Sequence, residues 1–159
     1  MQRLHIISVG RLTEPWCAEA CAAYSKMLSP YFKLSVSEVA AQRLPKNPSA
    51  AEIEKSLEAE AQSIQKKMPG KCFTVALCVE GATLSSEELA RLIDTTAMRS
   101  LEPVFIIGSS HGLSAQLKAQ ADYKLSLSAM TFAHQLGRVM LMEQLYRCGS
   151  ILNGGRYHK

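Results

Sequence analysis

The chain predicts an α/β fold, a mostly parallel sheet with helices on both faces, in a single domain over residues 1–159. Three observations lead there. Compact apolar runs recur as LHIISV (Leu4 to Val9), CFTVALCV (Cys72 to Val79) and VFII (Val104 to Ile107). The last two are free of charged residues, as strands buried on both faces are. Between the runs, Ser49 to Glu52 and Ser85 to Glu88 have the spacing of a capping box, in which serine and glutamate satisfy each other's backbone donors at a helix start. Strands that alternate with helices in this way build a sheet covered on both faces.

Each element has its own signal. Leu4 to Val9 is β-branched and stops at Gly10, so it reads as a central strand. Pro15 to Leu28 repeats apolar residues at three- and four-residue steps and is closed by Pro30, a helix. Phe32 to Val39 alternates apolar and polar residues, so one face of that strand stays wet. Ala40 to Pro48 is a proline-rich loop carrying Arg43 and Lys46. The helix opened at Ser49 runs to about Lys67, where Pro69 and Gly70 end it. The helix opened at Ser85 runs to about Met98. A short helix over Leu113 to Ala119 leads to a strand at Tyr123 to Leu127. The last helix, from about Leu136 to Tyr146, is apolar on most sides, which predicts burial in the core or against a second subunit.

Composition limits the function. The net charge of +4 permits an anionic partner without demanding one. The basic residues gather late: after Ala133 stand Arg138, Arg147, Arg156 and Lys159 against the single acid Glu143. Five cysteines without paired spacing argue against a disulfide framework. No second cysteine pair or nearby histidine completes a zinc tetrad around Cys17 and Cys21, so no metal is expected. The first apolar run is too short for a signal peptide and no stretch is long enough to span a membrane, so the expected setting is cytoplasmic.

Four stretches carry candidate chemistry. Gly108-Ser109-Ser110-His111-Gly112 follows a buried strand and precedes a helix, the place where open parallel sheets bind ligands. Its spacing is neither GxGxxG nor GxxxxGK[ST], which excludes a dinucleotide fingerprint and a P-loop. Glu80-Gly81 ends another buried strand; read alone it is a simple turn, and the other reading is a neighbouring wall of the same cleft. His134 and Arg138 are four residues apart and share a helix face, with Arg147 further along. The tail Asn153 to Lys159 reads as mobile, either a frayed end or an arm that offers Tyr157 to a base and cations to phosphates.

Taken together, the glycine loop, LSLSAMTFAHQ (Leu125 to Gln135), the RVMLMEQLYR helix and the terminal YHK resemble the ribosomal RNA large-subunit methyltransferase H family of SPOUT enzymes. The likeness runs over the whole chain, including ISVGRL near the start. It implies an α/β domain with a C-terminal trefoil knot, a homodimer, and S-adenosylmethionine as cofactor. It implies methylation at N3 of a pseudouridine in helix 69 of 23S rRNA, on the assembled 70S ribosome. The implied cofactor residues are Leu77, Gly108, Leu127, Ser128, Ala129, Met130, Thr131 and Phe132. Arg138, Tyr157 and His158 are the implied catalytic set. His134, Arg147, Arg156 and Lys159 are the implied substrate contacts. The chain departs from the family at Ser109, where a second glycine is usual, and at Ala133, where proline is usual. A left-handed backbone at Ser109 would cost roughly 1–2 kcal/mol. For removal of the N3 proton, charge assistance from arginine is favoured over His158 as base, because a mobile tail holds a base poorly. The alternative reading is a non-catalytic RNA- or ribosome-binding module on a degenerate methyltransferase scaffold.

Overall fold

The computed structural model describes residues 1–159. Five strands and five helices alternate strictly. They are β1 (Gln2–Val9), α1 (Pro15–Leu28), β2 (Phe32–Val39), α2 (Ala50–Gln65), β3 (Cys72–Thr83), α3 (Ser86–Met98), β4 (Glu102–Ile107), α4 (Ala115–Gln120), β5 (Tyr123–Ser126) and α5 (His134–Leu152). The sheet order is β2-β1-β4-β3-β5, and every pairing is parallel.

The two-residue period of the strands divides the core into two layers. On β4, Phe105 and Ile107 point to one face and Val104 and Ile106 to the other, all buried. The first face is covered by apolar residues of α1, α3 and α5, among them Leu28, Ile93 and Leu145. The second is covered by α2 and α4 through Ala61, Ile64 and Leu117. This is why the central strands carry no wet face, whereas β2 at the edge leaves Val36 exposed.

Both capping boxes form as the spacing predicts. Ser49 Oγ accepts from Glu52 N and Glu52 Oε1 accepts from Ser49 N; Ser85 and Glu88 repeat the exchange. Ser114 caps α4 by accepting from Leu117 N at 3.1 Å. Helix α4 therefore starts two residues later than the apolar pattern suggests. A shared carboxylate fixes β3 against β5: Asp122 Oδ2 accepts from Thr74 N and Thr74 Oγ1, both at 2.8 Å.

Two expectations change. Glu80-Gly81 is not a turn, since β3 continues to Thr83 with a register shift between Leu77 and Ala82. Gly81 permits this, because a Cβ there would lie 2.7 Å from the Lys124 carbonyl carbon. The tail is not free either. Gly154 turns it with φ +66°, and Gly155 N donates to Ser150 O at 2.8 Å, sending the chain back along α5. No helix is long and apolar enough to cross a membrane.

Candidate active site

At the carboxyl ends of β3, β4 and β5 lies a cleft of about 680 Å³. Small-molecule sites commonly occupy about 300–1,000 Å³, so a nucleoside-sized ligand fits. One wall is the end of β3 at Leu77. The floor is the Gly108 to Gly112 loop, and the far wall is the segment between β5 and α5. The loop is made by glycine at its ends: a Cβ on Gly108 would sit 2.3 Å from Gly112 O, and Gly112 itself has φ +81°. Gly112 N donates to Ser109 O at 2.8 Å and closes the turn. Ser109 does not adopt a positive φ, so it carries none of the left-handed strain its position raised. Ala133 has φ −54°, inside the range that proline would impose, and its carbonyl accepts from Gly137 N. The α5 entry thus has the geometry of a proline-started helix without proline.

Of the residues read from the sequence, the structure brings Leu77, Gly108, Leu127, Ser128, Met130, Thr131, Phe132 and His134 to this cleft; Ala129 sits outside its lining. Met130 and Phe132 remain 72% and 38% exposed, apolar side chains held at the opening. Ser128 Oγ accepts from Met130 N at 3.0 Å, and Ser126 Oγ donates to Ser128 O at 2.8 Å, so the hydroxylated residues shape the turn itself.

Arg138 is not on the cleft wall. It lies one helical turn beyond His134, is buried, and its Nη1 donates to Glu38 Oε1 of β2 at 2.9 Å. The shared helix face expected from the four-residue spacing therefore splits between cleft and interior. Arg147, Tyr157 and His158 form a separate group towards the other end of α5. Arg147 Nη2 donates to Glu143 Oε1 at 2.6 Å, and Tyr157 OH donates to the same oxygen at 3.0 Å. The Arg147 guanidinium lies 4.6 Å from the Tyr157 ring centre, and that ring packs on Tyr146 with centroids 4.6 Å apart. Loss of surrounding water, then the Glu143 carboxylate, push the Tyr157 phenol up to about 12. His158 Nε2 pairs with Glu87 Oε1 at 2.6 Å, while its Nδ1 is buried without a partner. Backbone donation, then His158, holds the Glu87 carboxyl below its ordinary value. Arg156 and Lys159 are exposed. A smaller groove of about 360 Å³, lined by Ser85, Ser86 and Glu143, lies between this group and the cleft and shares Leu125 to Leu127 with it.

Sequence reasoning missed three features. Lys118 of α4 pairs with Glu80 of β3 on the cleft wall, Nζ to Oε1 2.5 Å. Glu60 of α2 is 4% exposed behind the glycine loop, and neither its Oε2 nor Ser109 Oγ has an aligned partner. Burial raises the Glu60 carboxyl, partly offset by Gln42 N–H, the Ser109 hydroxyl and His111. Glu143 was noticed only as an isolated acid, although it organises the tail. Glu80–Lys118 and Glu60 have no local sequence signal, because tertiary contact forms them, whereas Glu143 and Arg147 do, standing four residues apart on one helix. The five cysteines are free thiols; burial drives Cys148 up to about 12 and keeps it un-ionised.

A cleft at the strand ends of a parallel sheet, with a glycine floor and apolar jaws, defines a small-ligand-binding α/β protein. Solved structures agree on the fold: a probable methylase family protein from Haemophilus influenzae superposes with TM-score 0.55 at 13% identity, covering 98% of this chain and 70% of that one. One from Neisseria gonorrhoeae gives 0.52 at 14%, covering 91% and 82%. The family described as "Predicted SPOUT methyltransferase" matches residues 2–158. The ribosomal RNA large subunit methyltransferase H of Carboxydothermus hydrogenoformans is 43% identical over 155 residues, 97% of this chain and 98% of that one. That of Moorella thermoacetica is 42% identical over 160 residues, spanning both chains completely. The chain belongs to the SPOUT methyltransferase family, among the ribosomal RNA large subunit methyltransferase H proteins.

Proposed function

We propose that the protein methylates ribosomal RNA of the large subunit, with S-adenosylmethionine as donor and N3 of a pseudouridine in helix 69 of 23S rRNA, on the assembled 70S ribosome, as acceptor. The observation that carries this reading is the cleft: its volume, its glycine floor at Gly108 and its apolar jaws suit an adenosine with a sulfonium arm. Leu77, Leu127, Met130 and Phe132 provide the sandwich for the adenine ring, and backbone groups at Gly108 and from Ser128 to Thr131 read its edge.

When bound, S-adenosylmethionine supplies an electrophilic methyl group, and the chain's own task is alignment and proton management. Alignment can contribute about 7–11 kcal/mol towards such a displacement. N3 must lose its proton before it attacks. We assign that proton to His158. In the docked tail Nε2 is paired with Glu87 and Nδ1 is buried, so His158 accepts only once the tail has lifted from Glu87 onto the RNA. Tyr157, clamped by Glu143 and Tyr146, orients the base, and Arg138 assists through its charge from behind His134. His134, Arg147, Arg156 and Lys159 meet the RNA backbone.

The same reading includes a homodimer, in which the outward apolar side chain Trp16 finds cover. It includes the C-terminal knot. The chain leaves β5 at one edge of the sheet and starts α5 beside the segment after β1, where Gln135 Oε1 accepts from Thr13 N and Glu14 N at 3.0 Å; the loop after β4 lies between. The non-catalytic alternative rested on Ser109, and an unstrained Ser109 weakens it. Incubating the protein with methyl-labelled donor and purified ribosomes, then mapping the label, tests the proposal. Label on N3 of a helix 69 pseudouridine is expected; donor binding without any labelled nucleotide would favour the non-catalytic module.

A further inference from the structure

We infer that Glu80 and Lys118 form the subsite for the amino-acid end of the donor, Lys118 taking its carboxylate and Glu80 its ammonium. This rests on the reading of the cleft as an S-adenosylmethionine site. Among the side chains that line the cleft, Glu80 is the one carboxylate and Lys118 the one ammonium. The rest of the lining is apolar, hydroxylated or imidazole. The donor has a charged end of the same composition, one carboxylate and one ammonium. In the absence of ligand the two side chains satisfy each other, Nζ to Oε1 2.5 Å, and Lys118 is the main reason the Glu80 carboxyl stays below its ordinary value. Glu80 is 55% exposed, so the pair is wet and only weakly self-stabilising. Opening it towards a zwitterion exchanges one ion pair for two at little cost.

The fold explains why the pair stands here. Glu80 lies inside the register shift of β3, between Leu77 and Ala82, which lets the strand continue past the adenine wall. Lys118 comes from α4, which starts immediately after the glycine loop and is fixed by the Ser114 cap. One residue thus extends the wall that holds the ring and the other extends the floor. Both side chains line the same cleft as the apolar jaws. Lys124 adds positive charge near Glu80, which favours a carboxylate-bearing arm on that flank.

The test is calorimetry on the full chain with two ligands, S-adenosylmethionine and 5′-methylthioadenosine, which keeps the adenosine but lacks the amino-acid end and the sulfonium charge; S-adenosylhomocysteine, which has the amino-acid end without the sulfonium, is run beside the donor and should follow it. The variants are Lys118→Met and Glu80→Gln. For the wild type, both ligands should bind, the donor more tightly. Each variant should weaken the donor by about three- to fivefold, the scale of a solvent-exposed ion pair, and leave methylthioadenosine unchanged. Equal weakening of both ligands, or no weakening of the donor, overturns the subsite. If the wild type binds neither ligand, the cleft reading itself fails, which is a different result from a wild type that binds both and variants that do not discriminate. Melting temperatures of the variants close to the wild type confirm that the loss is local.

Discussion

The two ends of α5 are built on opposite principles. Its amino-terminal end faces a cleft whose shape comes from backbone: glycines at 81, 108 and 112, a hydroxyl-bonded turn at Ser126 to Met130, and an uncapped helix start at Ala133. Its carboxyl-terminal end turns the tail back with one backbone bond, Gly155 N to Ser150 O, and then holds it mainly with side chains: Glu143, Arg147, Tyr146, Tyr157 and the His158–Glu87 pair. A backbone-built site fails when atoms are added; a side-chain clamp fails when atoms or charges are removed. Under the proposed function, the backbone-built end receives the donor and the side-chain clamp serves the acceptor.

The sharpest way to break this contrast is to add one methyl group at the floor. Gly108→Ala places a carbon 2.3 Å from Gly112 O, backbone against backbone, so neither side can yield cheaply. Donor affinity should fall by at least about a hundredfold and stability by roughly 2 kcal/mol or more, read by calorimetry and thermal melting. Removing atoms from the same site should do less. Phe132→Ala strips one jaw that is already 38% exposed and should weaken the donor by about tenfold, near the value of a half-buried apolar side chain, with the fold intact.

Acidity separates the two ends by sign. Glu87 has a depressed pKa in the folded state, so its contribution is present above the unfolded value and is lost as pH falls through the folded one. The tail should undock on acidification, visible as loss of quenching or shift of Tyr157 signals by NMR, and Glu87→Gln should flatten that response. Glu60, behind the cleft loop, is raised by burial, so its contribution is present at low pH and is lost as pH rises through its folded value. Melting of the wild type relative to Glu60→Gln should therefore decline with rising pH over that window and then level off. Opposite trends sharpen the comparison; parallel ones would erase it. The smallest expected change lies away from both ends. Ser100 holds φ +56°, and Ser100→Gly should stabilise the chain by about 1 kcal/mol in denaturant unfolding without touching donor binding.

The legible parts of the chain were those set by local rules. Alternating apolar runs placed all five strands, and serine–glutamate spacing placed the starts of α2 and α3 to within a residue. The segment from Leu127 to Phe132 could be singled out because small and hydroxylated residues there fit neither helix nor strand. What escaped was decided by contact across the fold. Nothing near Glu80 announces that β3 will run on past it against Lys124, and nothing near Lys118 announces Glu80. Two glycines before a polar tail read as fraying, since the Ser150 carbonyl and Tyr146 ring that hold the tail lie seven or more residues away from its aromatic end. Arg138 shared a calculated face with His134, yet an acid on the far edge strand, Glu38, drew it inside.

The central claim is a division of labour: the cleft binds the donor alone, and the tail acts only on the acceptor. The most direct measurement is the double substitution Tyr157→Ala, His158→Ala, assayed in parallel for donor affinity by calorimetry and for methyl transfer to ribosomes. The account predicts a dissociation constant unchanged within about twofold and a transfer rate lower by about a hundredfold or more. Lost donor binding, or transfer at the wild-type rate, would contradict it.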